Sequence, residues 1–138
     1  MPTTCRTRST NCEGLLDTSI CIGDERGRAR ETDRLPDEAA VSVVTLAVLE
    51  LGVQLASDEI VRAQRLRTLR ATHRTYVALP IDESVTSACA ELIAVARQAG
   101  RRARVMDAWI AATARAHDVA VYTKDADFDD LAVAVVQV

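Results

Sequence analysis

The sequence predicts an α/β domain with a mostly parallel central sheet and helices on both faces. Three observations predict it. Apolar, β-branched runs of strand length near 39–44, 76–81, 119–123 and 131–138 alternate with segments of helical period. That alternation is the pattern of strands joined by helical crossovers. The chain has 138 residues, enough for one core and one domain. Its composition is 49% hydrophobic but only 3% aromatic, so the core must be built of Val, Leu, Ile and Ala.

The elements follow in order. Residues 1–12 are polar, rich in Ser and Thr and without periodicity, and read as a disordered tail before a domain spanning 13–138. Gly14-Leu15-Leu16-Asp17 is too short to classify by period, but in the order of elements it stands as a first strand ending on an acid. Thr18 and Ser19 suit a helix start. Residues 23–38 are charged and punctuated by Gly27 and Pro36, and read as a loop or weak surface helix. Ala39–Val44 reads as a buried strand, after which Thr45 is placed to cap a helix over 46–53. In that helix Leu46, Leu49, Glu50 and Val53 share a face, which sets a carboxylate in an apolar stripe. Residues 58–75 form a second, arginine-rich helix, and the two make a hairpin that projects from the sheet. Tyr76–Ile81 is a strand whose Pro80 suggests an edge or an end. Asp82 caps a helix with its stripe at Val85, Ala88, Cys89, Leu92 and Ala96, and Gly100 stops it. A helix opening at Asp107 carries Ile110, Ala111 and Ala114 inward. It is followed by a strand over 119–123, an acidic turn, and a last strand over 131–138.

Charge and cysteine usage narrow the setting. The net charge of −3 hides nine arginines against three acids over 60–104, then six acids against two bases from Val105 onward. Overall acidity argues against a protein that coats nucleic acid indiscriminately. Cys5, Cys12, Cys21 and Cys89 show neither paired nor zinc spacing. The first residues lack an apolar signal segment, and no apolar run reaches about 18 residues. A cytoplasmic protein with no membrane contact is expected.

The acids at strand ends and on inward helix faces are Asp17, Glu50, Asp107 and Asp125, with Asp127 beside the last and the Thr123 hydroxyl in the same corner. In an open α/β sheet ligands bind beyond the carboxyl ends of the strands. Four carboxylates there repel one another unless protons or a cation neutralise them. Hard oxygen donors suit Mg²⁺, with Mn²⁺ as a substitute. A hydrated ion of this kind can supply a nucleophile for a phosphodiester. Taken singly, each acid has a plainer role: Asp107 as a helix cap, Asp125 and Asp127 as turn residues, Glu50 as a rim residue reaching water. His73 and His117 have no partners at ligand or triad spacing, and Ser19 has no histidine to activate it.

Four segments, taken together, resemble the motifs of PIN-domain ribonucleases, and more narrowly the VapC toxins of type II toxin–antitoxin pairs. They are Leu15–Ser19, Ser42–Glu50, Asp107–Ala114 and Tyr122–Phe128. The resemblance implies a PIN-like three-layer α/β/α sandwich and a metal-dependent endoribonuclease. Its catalytic and metal-binding acids would be Asp17, Glu50, Asp107 and Asp125, supported by Thr123 and Asp127. It also implies a homodimer, a VapB-like antitoxin lying across the helical hairpin, and structured RNA, tRNA or rRNA, as substrate. Arg101, Arg102 and Arg104 are candidates for contacts to RNA phosphates. Two rivals stand beside this reading. Another Mg²⁺-dependent α/β phosphotransfer protein is disfavoured because no Asp-x-Asp-x-Thr follows the first strand and the acids are spread over four elements. A non-catalytic PIN-fold partner of an antitoxin would be marked by a missing acid, and all four are present in the sequence.

Overall fold

The computed structural model describes residues 12–23 and 35–138. The expected tail falls outside them except for Cys12, as does most of the expected loop over 23–38. Among the described residues five strands pair into one all-parallel sheet: β1 (Gly14–Leu16), β2 (Ala39–Ser42), β3 (Val77–Leu79), β4 (Ala120–Thr123) and β5 (Val135–Gln137). Their spatial order is β3-β2-β1-β4-β5. Helices α1 (Thr18–Gly23), α2 (Val43–Gln54), α3 (Glu59–Thr75), α4 (Glu83–Gln98) and α5 (Val105–Ala116) connect them, with a 3₁₀ turn over Asp127–Asp130 before β5.

The layering follows from strand alternation, since successive side chains point to opposite faces. Leu15 and Ala40 join one core cluster, with Leu79, Val121 and the inward stripes of α4 and α5. Leu16 and Val41, each one residue on, join the other, with Ile20, Leu49 and Leu69 from α1, α2 and α3. The stripe expected on α4 is the buried one: Val85, Ala88, Cys89, Leu92 and Ala96. Pro80 directly follows β3, which is an edge strand as its proline suggested.

Three local features differ from the sequence reading. The strand expected to reach Val44 stops at Ser42, whose Oγ accepts the amide of Val44 at 3.1 Å and caps α2. Thr45, expected as that cap, is instead buried in the first turn and accepts a hydrogen bond from the Thr18 hydroxyl at 3.2 Å. A strong cap overrides the β preference of Val43 and Val44. Helix α5 begins two residues before Asp107, with Arg104 as its N-cap and no side-chain cap bond, so Asp107 is not a cap. The last strand is confined to residues 135–137, because Phe128 and Leu131 are drawn into the core and turn the preceding chain.

Helices α2 and α3 pack as the expected hairpin, tied by Arg65 Nη1 donating to the Gly52 carbonyl at 2.7 Å. The tip is conspicuously apolar, with Leu55 70% and Ile60 80% exposed. At the other end of the sheet, Gly14 lies beneath the ring of Tyr122. A Cβ there would sit 2.5 Å from Tyr122 Cε1 and 2.9 Å from Pro36 Cγ. Neither ring is a flexible chain end, so Gly14→Ala should lower unfolding free energy by about 1–3 kcal/mol, the range for overpacking. Urea denaturation tests this. A loss under about 0.5 kcal/mol, the scale of neutral surface changes, would show that the contact relaxes freely.

Candidate metal-binding active site

Asp17 follows β1 directly, at the carboxyl end of the sheet's central strand. It is only 4% exposed, and its burial is matched by donors. The Thr123 hydroxyl donates to Asp17 Oδ2 at 2.9 Å, and the Ser19 amide reaches the same oxygen at 3.3 Å. Thr123 also accepts the amide of Asp125 at 3.0 Å. The hydroxyls of Ser19 and Thr123 lie 3.3 Å apart, and Ser19 Oγ accepts the Lys124 amide at 3.1 Å. Since Thr123 spends its proton on Asp17, the Ser19 hydroxyl is the donor between them. The ends of β1 and β4 are thereby locked together through polar side chains.

Asp107 enters from α5 on the other side. It lies in the helix's first turn, where a carboxylate interacts favourably with the helix dipole. Even so, its pKa is pushed up from 3.8 to about 6. Burial is the largest cause, the negative charges of Asp17 and Asp127 add to it, Arg104 opposes it, and Asp125 contributes last. Asp107 Oδ2 is buried with no hydrogen-bond partner among the described residues. A solvent-shielded carboxylate oxygen without a donor, facing other carboxylates, is what a cation would relieve.

These groups line a cleft of about 570 Å³, whose walls include Asp17, Ser19, Asp107, Lys124, Asp125 and Asp127. The structure therefore brings together Asp17, Asp107, Asp125 and Asp127, with Thr123 beneath them. Glu50 is not brought with them. It is exposed on α2 and outside the cleft lining, where α2 presents Val48 and Leu51. The stripe that suggested Glu50 is real, but Leu46, Leu49 and Val53 pack into the core cluster shared with α3. Helix α2 is apolar on nearly every side, so period alone could not decide which side meets the cleft.

The three arginines also separate. Arg104 lines the cleft and pairs loosely with Asp127 at 3.9 Å, whereas Arg101 and Arg102 line a neighbouring cavity with Arg97. Sequence reasoning missed Ser19 as a structural member of the site. The available signal was the Thr-Ser pair directly after a strand-terminal acid.

The donor set fits a hydrated divalent cation. Among the described residues no three or more His, Cys, Asp or Glu side chains are gathered closely enough to hold a metal ion as a group. Mg²⁺ does not require such a group, because it keeps several waters and is commonly held by one or two carboxylates.

The comparison with known proteins agrees with this geometry. A family model described as "PIN domain" matches residues 14–134. The chain belongs to the PIN-domain family. Within that family it is similar to the ribonucleases VapC5 and VapC4 of Mycobacterium tuberculosis. It is 41% identical to the first over 120 residues, covering 87% of this chain and 88% of that one. It is 45% identical to the second over 115 residues, covering 83% and 87%. The structure of the toxin–antitoxin complex VapBC-5 from M. tuberculosis superposes with a TM-score of 0.83 at 36% identity, covering 92% of this PIN domain's chain and 99% of that chain.

The raised Asp107 has a stability consequence. Well below pH 3.8 the group is protonated in both folded and unfolded chains. Between there and about pH 6 the folded chain keeps a proton that the unfolded chain has released, so stability falls as pH rises through this window. Asp107→Asn removes that penalty. In EDTA the variant should exceed wild type by about 1 kcal/mol at pH 7.5, a value discounted for part-exposure to solvent. The gap should close toward pH 4. Urea titrations at both pH values check this; equal stability throughout would mean that Asp107 carries no charge strain.

Proposed function

We propose that this protein is the toxin of a type II toxin–antitoxin pair, a metal-dependent endoribonuclease that cleaves structured RNA, tRNA or rRNA, and thereby stops translation. The observation that carries this reading is the unpartnered, buried Oδ2 of Asp107 facing Asp17 and the corner aspartates in an open cleft. The likeness to VapC ribonucleases over most of the chain supports it.

Asp17 and Asp107 would hold Mg²⁺ or Mn²⁺, with Asp125 and Asp127 close enough to share in it. An ion held there would supply an activated water and positive charge against the phosphate under attack. The protein's share is positioning. Thr123 and Ser19 fix Asp17 in one orientation, and α5 fixes Asp107 opposite. Lys124 and Arg104 place positive charge at the rim of an otherwise acidic cleft, where an RNA phosphate must approach. Arg101 and Arg102, in the adjoining cavity, extend that rim along the backbone path. A VapB-like antitoxin would cover the α2–α3 hairpin, whose exposed Leu51, Leu55 and Ile60 offer an apolar surface beside the cleft. A homodimer in the cytoplasm completes the reading. Among the described residues, no helix is long and apolar enough to cross a membrane.

The test is cleavage of total cellular RNA by protein freed of antitoxin, in Mg²⁺, Mn²⁺ or EDTA. Wild type should give discrete, metal-dependent fragments whose ends name the target. Asp107→Asn and Asp17→Asn should each lower the rate by at least about 100-fold, the scale for removing a group that stabilises transition-state charge. Fragments that persist unchanged in Asp107→Asn would overturn the nuclease reading. Folded wild type that cleaves nothing under any metal would point to antitoxin binding alone.

A further inference from the structure

Among the described residues, the cleft takes carboxylates from three segments and none from the rest of its lining. Asp17 comes from the end of β1, Asp107 from α5, and Asp125 and Asp127 from the corner after β4. Helix α1 lines the rest with Thr18, Ser19, Ile22 and Gly23, and helix α2 with Val48 and Leu51. Glu50 lies two residues beyond Val48, about 200° around the helix, and is exposed.

Rotation of α2 cannot bring Glu50 inward. Val44, Thr45 and Leu49 are buried on that helix, and Thr45 is hydrogen-bonded to Thr18 on the cleft floor. Turning Glu50 into the cleft would expose all three. Val48 is fixed as well, packed against the core cluster that contains Ile110, one turn after Asp107 on α5. Val48 and Ile110 both face the cleft. A longer acidic side chain at 48 would thus extend toward the open space beside Asp107, whereas one at 50 points to solvent.

We propose that the cation site of this chain is three-walled: β1, α5 and the β4 corner supply its oxygen ligands, and α2 contributes Val48, an apolar wall, where an acid would complete it. The inference rests on the metal-dependent reading above and deepens it. The ion in such a site keeps more of its water than in a four-walled site. It is bound more weakly, because ligand charge and number set affinity for hard cations. Val48, and not Glu50, is then the position on α2 that controls metal affinity.

The test is Mn²⁺ binding to the full chain by calorimetry and by electron paramagnetic resonance of free Mn²⁺, with no RNA present. Four variants are compared with wild type: Glu50→Gln, Val48→Glu, Val48→Gln and Asp107→Asn. Expected are a Kd within about twofold of wild type for Glu50→Gln and a loss of at least about tenfold for Asp107→Asn. Val48→Glu should tighten binding by about tenfold or more, and Val48→Gln, of the same length without the charge, should not. A tenfold loss in Glu50→Gln would overturn the inference and leave the nuclease reading intact. Folded Val48→Glu with unchanged affinity would also overturn it. Should Val48→Glu fail to fold, the exposed Glu50→Gln decides alone: unchanged affinity supports the three-walled site and tenfold loss removes it. Wild type that takes up no Mn²⁺ would count against the proposed function. In that case gain of binding in Val48→Glu would still support the missing wall, and no gain would overturn it.

Discussion

The hydrogen bond from Thr123 to Asp17 is the joint on which the site depends. It links the ends of two neighbouring strands and holds a buried carboxylate in one orientation. Without it, Asp17 would keep only the Ser19 amide, at 3.3 Å, to offset a buried charge that is costly to fold around. The same hydroxyl accepts the Asp125 amide and so sets where the acidic corner begins. One threonine, itself inaccessible to solvent, connects three of the elements on which the chemistry rests. The parallel pairing of β1 with β4 brings those groups within reach, in a register that sets Leu16 opposite Tyr122.

Around that joint the molecule tolerates electrostatic strain instead of removing it. A buried hydrophobe in place of Asp107 would fill the same space with no unpartnered oxygen and no repulsion from Asp17 and Asp127. The strain is tolerated because the inward face of α5 is fully packed, with Ala108, Ala111, Ala112 and Ala114 all inaccessible. Small residues let α5 approach the sheet and α4 closely, and that closeness leaves Asp107 shielded from water. The same packing that stabilises the domain thus raises the carboxyl's proton affinity and its readiness to meet a cation.

Much of this was legible in the sequence. The order of strands and helices, the buried stripe of α4, the edge position marked by Pro80 and the corner formed by Thr123 and Asp125 all follow from local pattern and turn chemistry. Pattern placed Asp17 at a strand end and Asp107 at the start of an inward helix face, but taken singly Asp107 read as a helix cap; the resemblance of the four motifs singled both out. Glu50 was misplaced. On α2 almost every residue is apolar, so the stripe of Leu46, Leu49 and Val53 identified a buried face without saying what covers it. It is covered by the core shared with α3, and the face toward the acids belongs to Val48 and Leu51. The helix starts at 43 and 105 were also off by about a turn or less, since caps supplied by Ser42 and by the Arg104 backbone leave only faint composition signals.

The central position of β1 has one more effect, on the order of events during synthesis. The strand pairs on one side with β2, soon after it in the chain, and on the other with β4, made more than a hundred residues later. Asp17 therefore leaves the ribosome more than a hundred residues ahead of Thr123 and Asp125. Non-local pairing of this kind forms late, because loop closure must precede it. A nascent or prematurely terminated chain carries half of an acidic cleft and none of the hydroxyl that orients it. For a protein proposed to cut RNA, a site split between segments so far apart in sequence is assembled only once β4 has been made and paired.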